Sequence, residues 1–423
     1  MKKINIFRFV RKWQITVVVA GLMMPLSVIA VSQTADTEQI KRGEYLSRAA
    51  NCMGCHTARG GEPYAGGRTL KTPFGEFVAP NITPDNETGI GHWSSEDFWQ
   101  ALHSGKARDG SYLYPVFPYT EYTKVTREDA DAMFAYLHSL KPVAQTNPPH
   151  KIKSPYDNQF LLFLWRMWYF DEGVYQPDTS KSEEWNRGNY LVQGLGHCNA
   201  CHTPRNVWGA SQNSKVAGGE IMGTHWYAPS LISPLEAGVG EWSIDDIVKL
   251  LSTGINEHAV TSGPMATIVR QSLQHLTPED MRAMAVYLQS IGEKHMENET
   301  PKKIPPMPDQ VKRYLDMGER VYQEHCQSCH GVSGEGVPGI YPPLAGNRSV
   351  TMKSPHNMIR SVLYGGFPPT TASNPRPYGM PPFQHIIRDH EIAWVISYIR
   401  NAWGNLGSLV KPEEIDDSRG NEF

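Results

Sequence analysis

The 423-residue sequence lacks the features that two large classes of protein need. Lys and Arg number 40 against 43 Asp and Glu, so the chain has no basic excess of the kind that binds nucleic acid. Mean hydropathy is -0.44, and the single long apolar run lies near the N-terminus, which excludes a protein with several membrane spans. At a prior of about 150 residues per domain, the length predicts roughly three domains.

Cysteine is also scarce, and its placement is the most informative feature of the sequence. All 6 cysteines belong to one five-residue pattern used three times, and none is left over. The three copies are Cys52-Met-Gly-Cys55-His56, Cys198-Asn-Ala-Cys201-His202 and Cys326-Gln-Ser-Cys329-His330. This pattern attaches c-type haem: two thiols add to the haem vinyl groups, and the histidine becomes the proximal iron ligand. We therefore predict three covalently bound haems, each with its own proximal histidine.

Two other uses of paired cysteines fit this sequence less well. Redox-active Cys-x-x-Cys pairs need no following histidine, yet every pair here has one. A structural zinc site would require two pairs to combine into a set of four ligands, and the pairs stand far apart in the chain. Haem attachment is therefore the preferred interpretation.

The N-terminus predicts export from the cytoplasm. Several Lys and Arg residues precede an apolar run over 15–30, and Val28-Ile-Ala30 resembles a cleavage site. We predict a signal peptide over 1–30 and a mature protein in the periplasm. An uncleaved membrane anchor is the alternative, although the run is short for a span and Pro25 interrupts it.

The chain repeats one unit around each motif. Upstream, a glycine and a tyrosine open a short helix in each copy: Gly43-Glu-Tyr45, Gly188-Asn-Tyr190 and Gly318-Glu-Arg-Val-Tyr322. Downstream of the first two motifs, a Ser or Thr precedes an acidic residue by three, which is a helix-start signal. These signals are at Ser94, Thr126, Ser243 and Thr277.

The repeats predict an all-α fold of three tandem haem-binding domains. We place them at 36–150, 183–295 and 309–404, and call these ranges the first, second and third repeats. The 37 Gly and 32 Pro residues predict long loops that wrap the haems and form no sheet. The polar tail over 405–423 is expected to be loosely ordered.

The chain resembles the triple-haem cytochrome c subunit of membrane-bound bacterial dehydrogenases, the type that oxidises alcohols, gluconate or fructose. The resemblance rests on the three motifs with Ala79-Pro-Asn-Ile-Thr83, Tyr114-Pro-Val-Phe-Pro-Tyr119, Leu250-Leu-Ser-Thr-Gly254, Ser262-Gly-Pro-Met265 and Tyr341-Pro-Pro-Leu-Ala-Gly346. It implies three tandem cytochrome c domains that carry electrons from a catalytic flavoprotein or quinoprotein subunit to ubiquinone, at the periplasmic face of the inner membrane.

Each low-spin haem also needs a second axial ligand, for which methionine is common. Met380 stands in a Gly/Pro loop of the third repeat, and Met265 holds the matching place in the second. We predict both as iron ligands, although a methionine is more often a core residue. Pro342 stands in a Pro-x-Leu-x-Gly segment that resembles single-haem cytochromes, and this resemblance implies that its carbonyl accepts a hydrogen bond from the His330 ring; the alternative is an ordinary loop proline.

The first repeat departs from this pattern. The resemblance implies a methionine in the Tyr-Pro-x-x-Pro-Tyr loop, as in many relatives, where this chain has Phe117. Met133 aligns with a helix position of the second repeat, so we interpret it as a core residue. His92 and His103 are candidate substitutes, and the remaining alternatives are Met133 after all or an open or water-bound iron.

Two further points stay open at the level of sequence. The apolar segment 159–170 is too short to span a bilayer; a connector packed between the first two repeats is preferred over an interfacial membrane helix. A haem enzyme of peroxidase type, with one open iron, is the functional rival to electron transfer.

Overall fold

A computed structural model describes residues 27–212, 216–294 and 308–419, and the predicted signal peptide lies almost entirely outside these ranges. The chain divides into two compact units, 1–38 and 39–423, and the second unit contains all three motifs. Within the described ranges, no helix is long and apolar enough to cross a membrane.

The described part of the chain is mostly helical. Its helices are α1 Ser27–Ala49, α2 Cys52–Cys55, α3 Ser95–Ser104, α4 Tyr119–Tyr122, α5 Arg127–Ser139, α6 Gln159–Tyr169, α7 Glu183–Tyr190, α8 Asn199–His202, α9 Ile244–Thr253, α10 Gly263–Gln271, α11 Pro278–Ile291, α12 Asp309–His325, α13 Gln327–His330, α14 Arg348–Thr351, α15 His356–Tyr364, α16 Asp389–Ile399 and α17 Pro412–Arg419. A π-helix covers Leu191–Leu195, and a 3₁₀-helix covers Leu273–His275.

The prediction that the loops form no sheet is wrong in detail. Five short strands are present: β1 Thr69–Thr72, β2 Gly75–Val78, β3 Lys151–Ile152, β4 Gly219–Ile221 and β5 Trp226–Ala228. The first three form an antiparallel sheet in the order β1-β2-β3, and β4 pairs with β5. The β1-β2 hairpin turns at Gly75, whose φ of 135° only glycine adopts readily.

The predicted helix starts are confirmed. The side chains of Ser94, Thr126, Ser243 and Thr277 each accept a hydrogen bond from a backbone N–H of the first turn, in α3, α5, α9 and α11 respectively. Each helix also has acidic residues in its first turn, which the helix dipole favours.

A glycine lets two helices cross closely in every repeat. A Cβ at Gly43 would collide with the carbonyl of Ala132 in α5, and one at Gly188 with the carbonyl of Ala283 in α11. In the third repeat, Gly318 meets α16 in the same way. These crossings place the three motifs at the ends of equivalent helix pairs.

The first two repeats share one apolar core, and the third has its own. One continuous core joins the first two repeats and runs from Leu46 to Leu288, while the third repeat has a separate core around Ile359 and Ile392. The first two repeats are therefore packed together as a pair, since they share buried apolar surface.

Helix α6, which forms most of the apolar segment 159–170, packs against the protein on one face only. Leu162 and Arg166 are buried, and Arg166 donates to the Ser104 carbonyl at 2.6 Å. The opposite face is open, with Phe160 65 % and Trp168 73 % exposed. The preferred interpretation as a connector thus describes one face of the helix and leaves the aromatic face uncovered.

The expectation of a loosely ordered tail is wrong for the residues that the structure describes there. Val410 and Ile415 are buried in the core of the third repeat. The Tyr314 hydroxyl donates to the Val410 carbonyl at 2.7 Å, and Arg419 pairs with Asp389 at 2.5 Å. Two apolar side chains among polar neighbours are enough to fix this segment.

Candidate haem-attachment sites

The three motif histidines are held in the same way. The Nδ1 atoms of His56 and His202 lie 2.8 Å from the carbonyl oxygens of Pro80 and Pro229. A carbonyl can only accept, so Nδ1 carries the proton and Nε2 keeps its lone pair. Burial also lowers the pKa of both histidines, which favours neutral imidazole. Each ring therefore presents a nitrogen ligand to an iron.

The third histidine follows the same rule, and here the sequence prediction is confirmed. The His330 Nδ1 atom lies 3.2 Å from the Pro342 carbonyl oxygen, and burial lowers the pKa of this histidine too. Sequence reasoning missed the equivalent roles of Pro80 and Pro229. The signal was an Ala-Pro pair downstream of each of the first two motifs, at Ala79-Pro80 and Ala228-Pro229.

The cysteines are placed for covalent attachment. All six lie within the described residues and none forms a disulfide. The two thiols of each motif stand about one helical turn apart, directly before the histidine. Burial raises the pKa of Cys52, Cys198 and Cys326 to about 12. Redox-active pairs depend on a lowered thiol pKa, so this environment does not favour that alternative.

The two methionines predicted as axial ligands lie in different settings. Met265 is in the first turn of α10, and the expectation of a loop at this position is wrong. Pro264 occupies a position where the first turn of a helix tolerates it. Met380 lies in an extended segment, bridged to Gly366 by two backbone hydrogen bonds of 2.8 and 3.0 Å. Both side chains are half-buried at the edge of a core. A thioether is therefore available in the second repeat and in the third.

Downstream of its motif, the first repeat offers no half-buried thioether. Met133 is fully buried inside α5, in the shared core, which agrees with its interpretation as a core residue. The His103 Nδ1 lies 2.9 Å from the Thr123 carbonyl, and its ring stacks on Trp99 at 4.5 Å. His92 is exposed. Since the His103 Nε2 also lies 3.4 Å from a carboxylate oxygen of Glu172, both ring nitrogens of His103 have protein partners.

The attachment sites of the first two repeats adjoin each other. Burial raises the pKa of Cys201 to about 11, and Cys55 of the first repeat contributes to the same shift. The ring of His197, next to Cys198, lies 5.2 Å from the ring of Tyr122 in the first repeat. Tyr122 in turn donates to the Ala50 carbonyl at 2.8 Å. A chain of direct contacts thus joins the two sites.

Comparison with known proteins shows the family of the chain. The cytochrome c family model matches residues 40–141 and 315–403. The cytochrome c subunit of alcohol dehydrogenase (quinone) from Gluconobacter oxydans is 39 % identical over 93 % of this chain and 84 % of its own length. The gluconate 2-dehydrogenase cytochrome c subunit of Pantoea cypripedii is 35 % identical over 95 % and 97 %. A nicotinate dehydrogenase subunit of Pseudomonas putida is 40 % identical over 87 % of this chain but 31 % of its own length. The chain belongs to the family of cytochrome c subunits of bacterial dehydrogenases.

Proposed function

We propose that the chain relays electrons through three covalently bound haems c, from a separate catalytic dehydrogenase subunit to ubiquinone. The observation that carries this proposal is the threefold recurrence of one arrangement: two thiols on a turn, followed by a histidine whose Nδ1–H is held by a proline carbonyl. When bound, haem supplies an iron that takes up and releases one electron at a time. The chain's part is to fix the ligands, exclude water and hold the sites close together.

The three haems sit in three tandem cytochrome c domains in this proposal. Cys52 and Cys55 attach the first haem, Cys198 and Cys201 the second, and Cys326 and Cys329 the third. The segments after each motif wrap the haem and return the proline carbonyl to the proximal histidine. The repeated helix crossing at Gly43, Gly188 and Gly318 supports the count of three.

The electron donor is a catalytic dehydrogenase subunit. The relatives are named as cytochrome c subunits of dehydrogenases or as a dehydrogenase subunit, and they give the peroxidase-type alternative no support. Since their names cover alcohol, gluconate and nicotinate, the donor is proposed by class, with a flavoprotein or quinoprotein as the first choice.

A cavity beside the first attachment site supports a quinone acceptor. It has a volume of ≈ 530 Å³ and is lined by Met53, Tyr64 and Tyr136 from the first repeat and by Gln271 from the second. This volume lies within the range of small-molecule sites. Its walls include Asn51 and Met53, at the first motif, but neither His56 nor Pro80.

Three buried polar atoms of this cavity support the presence of a bound molecule. Ser47 Oγ, Asn51 Oδ1 and Gln271 Oε1 are buried and, as far as the structure describes the chain, have no hydrogen-bond partner. Such atoms are costly unless a bound molecule or water satisfies them. The hydroxyls of a quinol ring would donate to these oxygens, and Tyr64 and Tyr136 would flank its apolar body.

The second repeat fills the corresponding region with its own side chains. The segment from Tyr190 to Cys198 is one residue longer than the matching segment from Tyr45 to Cys52. The π-helix Leu191–Leu195 accommodates the extra residue. There the Gln193 amide donates to the Tyr287 hydroxyl at 2.7 Å and accepts from Asn199. Tyr287 and Asn199 correspond to Tyr136 and Met53. The second repeat therefore does not reproduce the cavity of the first.

The protein is placed in the periplasm, at the inner membrane surface, after export by the signal peptide. The exposed face of α6 carries Phe160, Met167 and Trp168, which suits an interfacial contact with lipid. Co-sedimentation with phospholipid vesicles tests this contact, by comparing the mature holo-protein with its Phe160→Ser, Trp168→Ser variant. Equal binding of both proteins would remove α6 from the proposal.

Reconstitution tests the electron relay itself. The matured chain and its catalytic subunit together should reduce a short-chain ubiquinone in the presence of substrate, and neither should do so alone. Oxidation of substrate by the isolated chain would contradict the proposal. So would quinone reduction by the catalytic subunit at the same rate without the chain.

A further inference from the structure

The backbone structure aligns Phe117 of the first repeat with Met265 of the second, independently of the sequence count. Helices α3 and α9 end at left-handed glycines, Gly105 and Gly254, with φ of 57° and 77°. A short loop follows each glycine, and a backbone N–H at the end of the loop donates to the carbonyl of that glycine. The donor is Leu113 in the first repeat, at 2.9 Å, and Thr261 in the second, at 2.8 Å.

Counting from these returning residues gives the same position in both repeats. Four residues after Thr261 is Met265, and four residues after Leu113 is Phe117. Both side chains are half-buried and pack at the edge of the shared core. Phe117 therefore occupies the place from which Met265 presents its sulfur, and a phenyl ring has no lone pair to donate to iron.

The other methionine and histidine side chains downstream of the first motif are buried in the core, held by protein partners or exposed. Met133 is closed within α5. The His138 Nε2 lies 3.1 Å from the Ile90 carbonyl, and the His150 Nδ1 accepts from the Val78 N–H at 3.1 Å. Together with the bonded His103 and the exposed His92, these side chains account for every methionine and histidine between His56 and residue 150.

The proximal side of the same site is intact. The His56 ring is held by the Pro80 carbonyl at 2.8 Å, the same distance as His202 to Pro229. The two sites thus differ on the distal side, where the second repeat has a thioether and the first has an apolar ring.

We propose that the first haem is five-coordinate and that its iron binds a small uncharged ligand, of the class of carbon monoxide or nitric oxide, against Phe117. This inference rests on the proposed attachment of three haems. The Phe117 ring lies 5.5 Å from the ring of Tyr122. Because the Tyr122 hydroxyl already donates to Ala50, Phe117 and Tyr122 offer aromatic surface there, with the ring of His197 from the second repeat 5.2 Å from that of Tyr122. A wall of aromatic rings disfavours charged ligands such as cyanide.

The test uses the complete mature protein with its haems, reduced with dithionite and titrated with carbon monoxide. The expected result is that one haem of the three binds carbon monoxide and that one of three is high-spin in the oxidised state. No carbon monoxide binding by the wild-type protein would overturn the inference. So would a first haem with a low-spin bis-histidine signal, which would point to His197 as a ligand from the second repeat.

Matched variants make the assignment specific to one residue. Phe117→Met should abolish carbon monoxide binding and convert the high-spin haem to a low-spin His/Met centre. Met265→Phe should have the opposite effect and raise the stoichiometry to two. Met133→Leu should change neither spectrum, and a change there would identify Met133 as the ligand and overturn the inference. Haem content, measured by mass on the denatured sample, separates a failure of the three-haem proposal from a failure of this one.

Discussion

Tyr45 and Tyr190 cross the interface between the first two repeats in opposite directions. The Tyr45 hydroxyl donates to Asp280 of the second repeat, and the Tyr190 hydroxyl donates to Asp129 of the first, both at 2.5 Å. Each aspartate also lies in the first turn of the helix that closes its own repeat. The contact is thus reciprocal: each repeat donates one tyrosine hydroxyl to an aspartate of the other.

The stability of this pair should depend on pH through Tyr45. Burial, together with the hydrogen bond to Asp280, raises the pKa of Tyr45 to about 12 from 10.0. A group whose pKa is raised by folding contributes stability that is complete below its unfolded pKa and is lost as the pH rises through the folded value. Tyr45→Phe should therefore lower the free energy of unfolding by about 1 kcal/mol near neutral pH, and the difference from wild type should shrink between pH 10 and 12.

Denaturant titrations of wild type and Tyr45→Phe across this pH range check the prediction. Tyr314→Phe is a suitable control, since Tyr314 bonds to Val410 within the third repeat. It should not weaken the joined pair. A wild-type advantage over Tyr45→Phe that grows above pH 10 would show that the sign is wrong.

The helix crossings give a second test. Gly43→Ala should destabilise the first repeat by about 1–3 kcal/mol, because the new methyl group meets the Ala132 carbonyl and forces the helices apart. Gly173→Ala is the matched control, since no atom lies within 4 Å of a Cβ at that position. Thermal unfolding of both variants, followed by circular dichroism, compares them directly. Equal melting temperatures would contradict the close crossing.

The cavity gives a third test, in the reconstituted complex. Gln271→Ala removes a buried hydrogen-bond acceptor from the cavity. It should raise the inhibition constant of ubiquinol, the product that would donate to this acceptor, about fivefold, as expected for the loss of one hydrogen bond. Thr120→Ala is the matched control, because Thr120 precedes the helix cap Thr126 by the same number of residues as Gln271 precedes Thr277, and it should leave this constant unchanged. Product inhibition of steady-state quinone reduction by both variants measures the difference. An unchanged inhibition constant for Gln271→Ala would move the acceptor site elsewhere and leave the relay intact.

Sequence reasoning reached the parts of this protein that are encoded locally. The three motifs and the caps at Ser94 and Thr277 are each visible within a few residues, and the role of Pro342 was implied by the resemblance to cytochromes. The proline carbonyls at Pro80 and Pro229 were within reach, because the Ala-Pro pair is repeated. They were missed because each lies more than twenty residues from its histidine.

The remaining differences depend on tertiary contacts. The ordering of the tail follows from Ile415 entering the third core, and a polar sequence gives little sign of that. The single added residue that forms the π-helix at Leu191–Leu195 lets side chains of the second repeat fill the region where the first repeat has a cavity. Sequence periodicity gives no sign of such a change in packing. Met265 lies in a helix because Pro264 is compatible with a first turn, although the same Gly-Pro pair also occurs in loops.

Rapid mixing tests the central claim most directly. The matured chain is mixed with its substrate-reduced catalytic subunit, and the absorbance of the haems is followed before and after ubiquinone is added. The account predicts that the haems are reduced at least as fast as the complete complex turns over, and that ubiquinone then reoxidises them at a comparable rate. Haem reduction slower than overall turnover would show that electrons reach the quinone without passing through this chain.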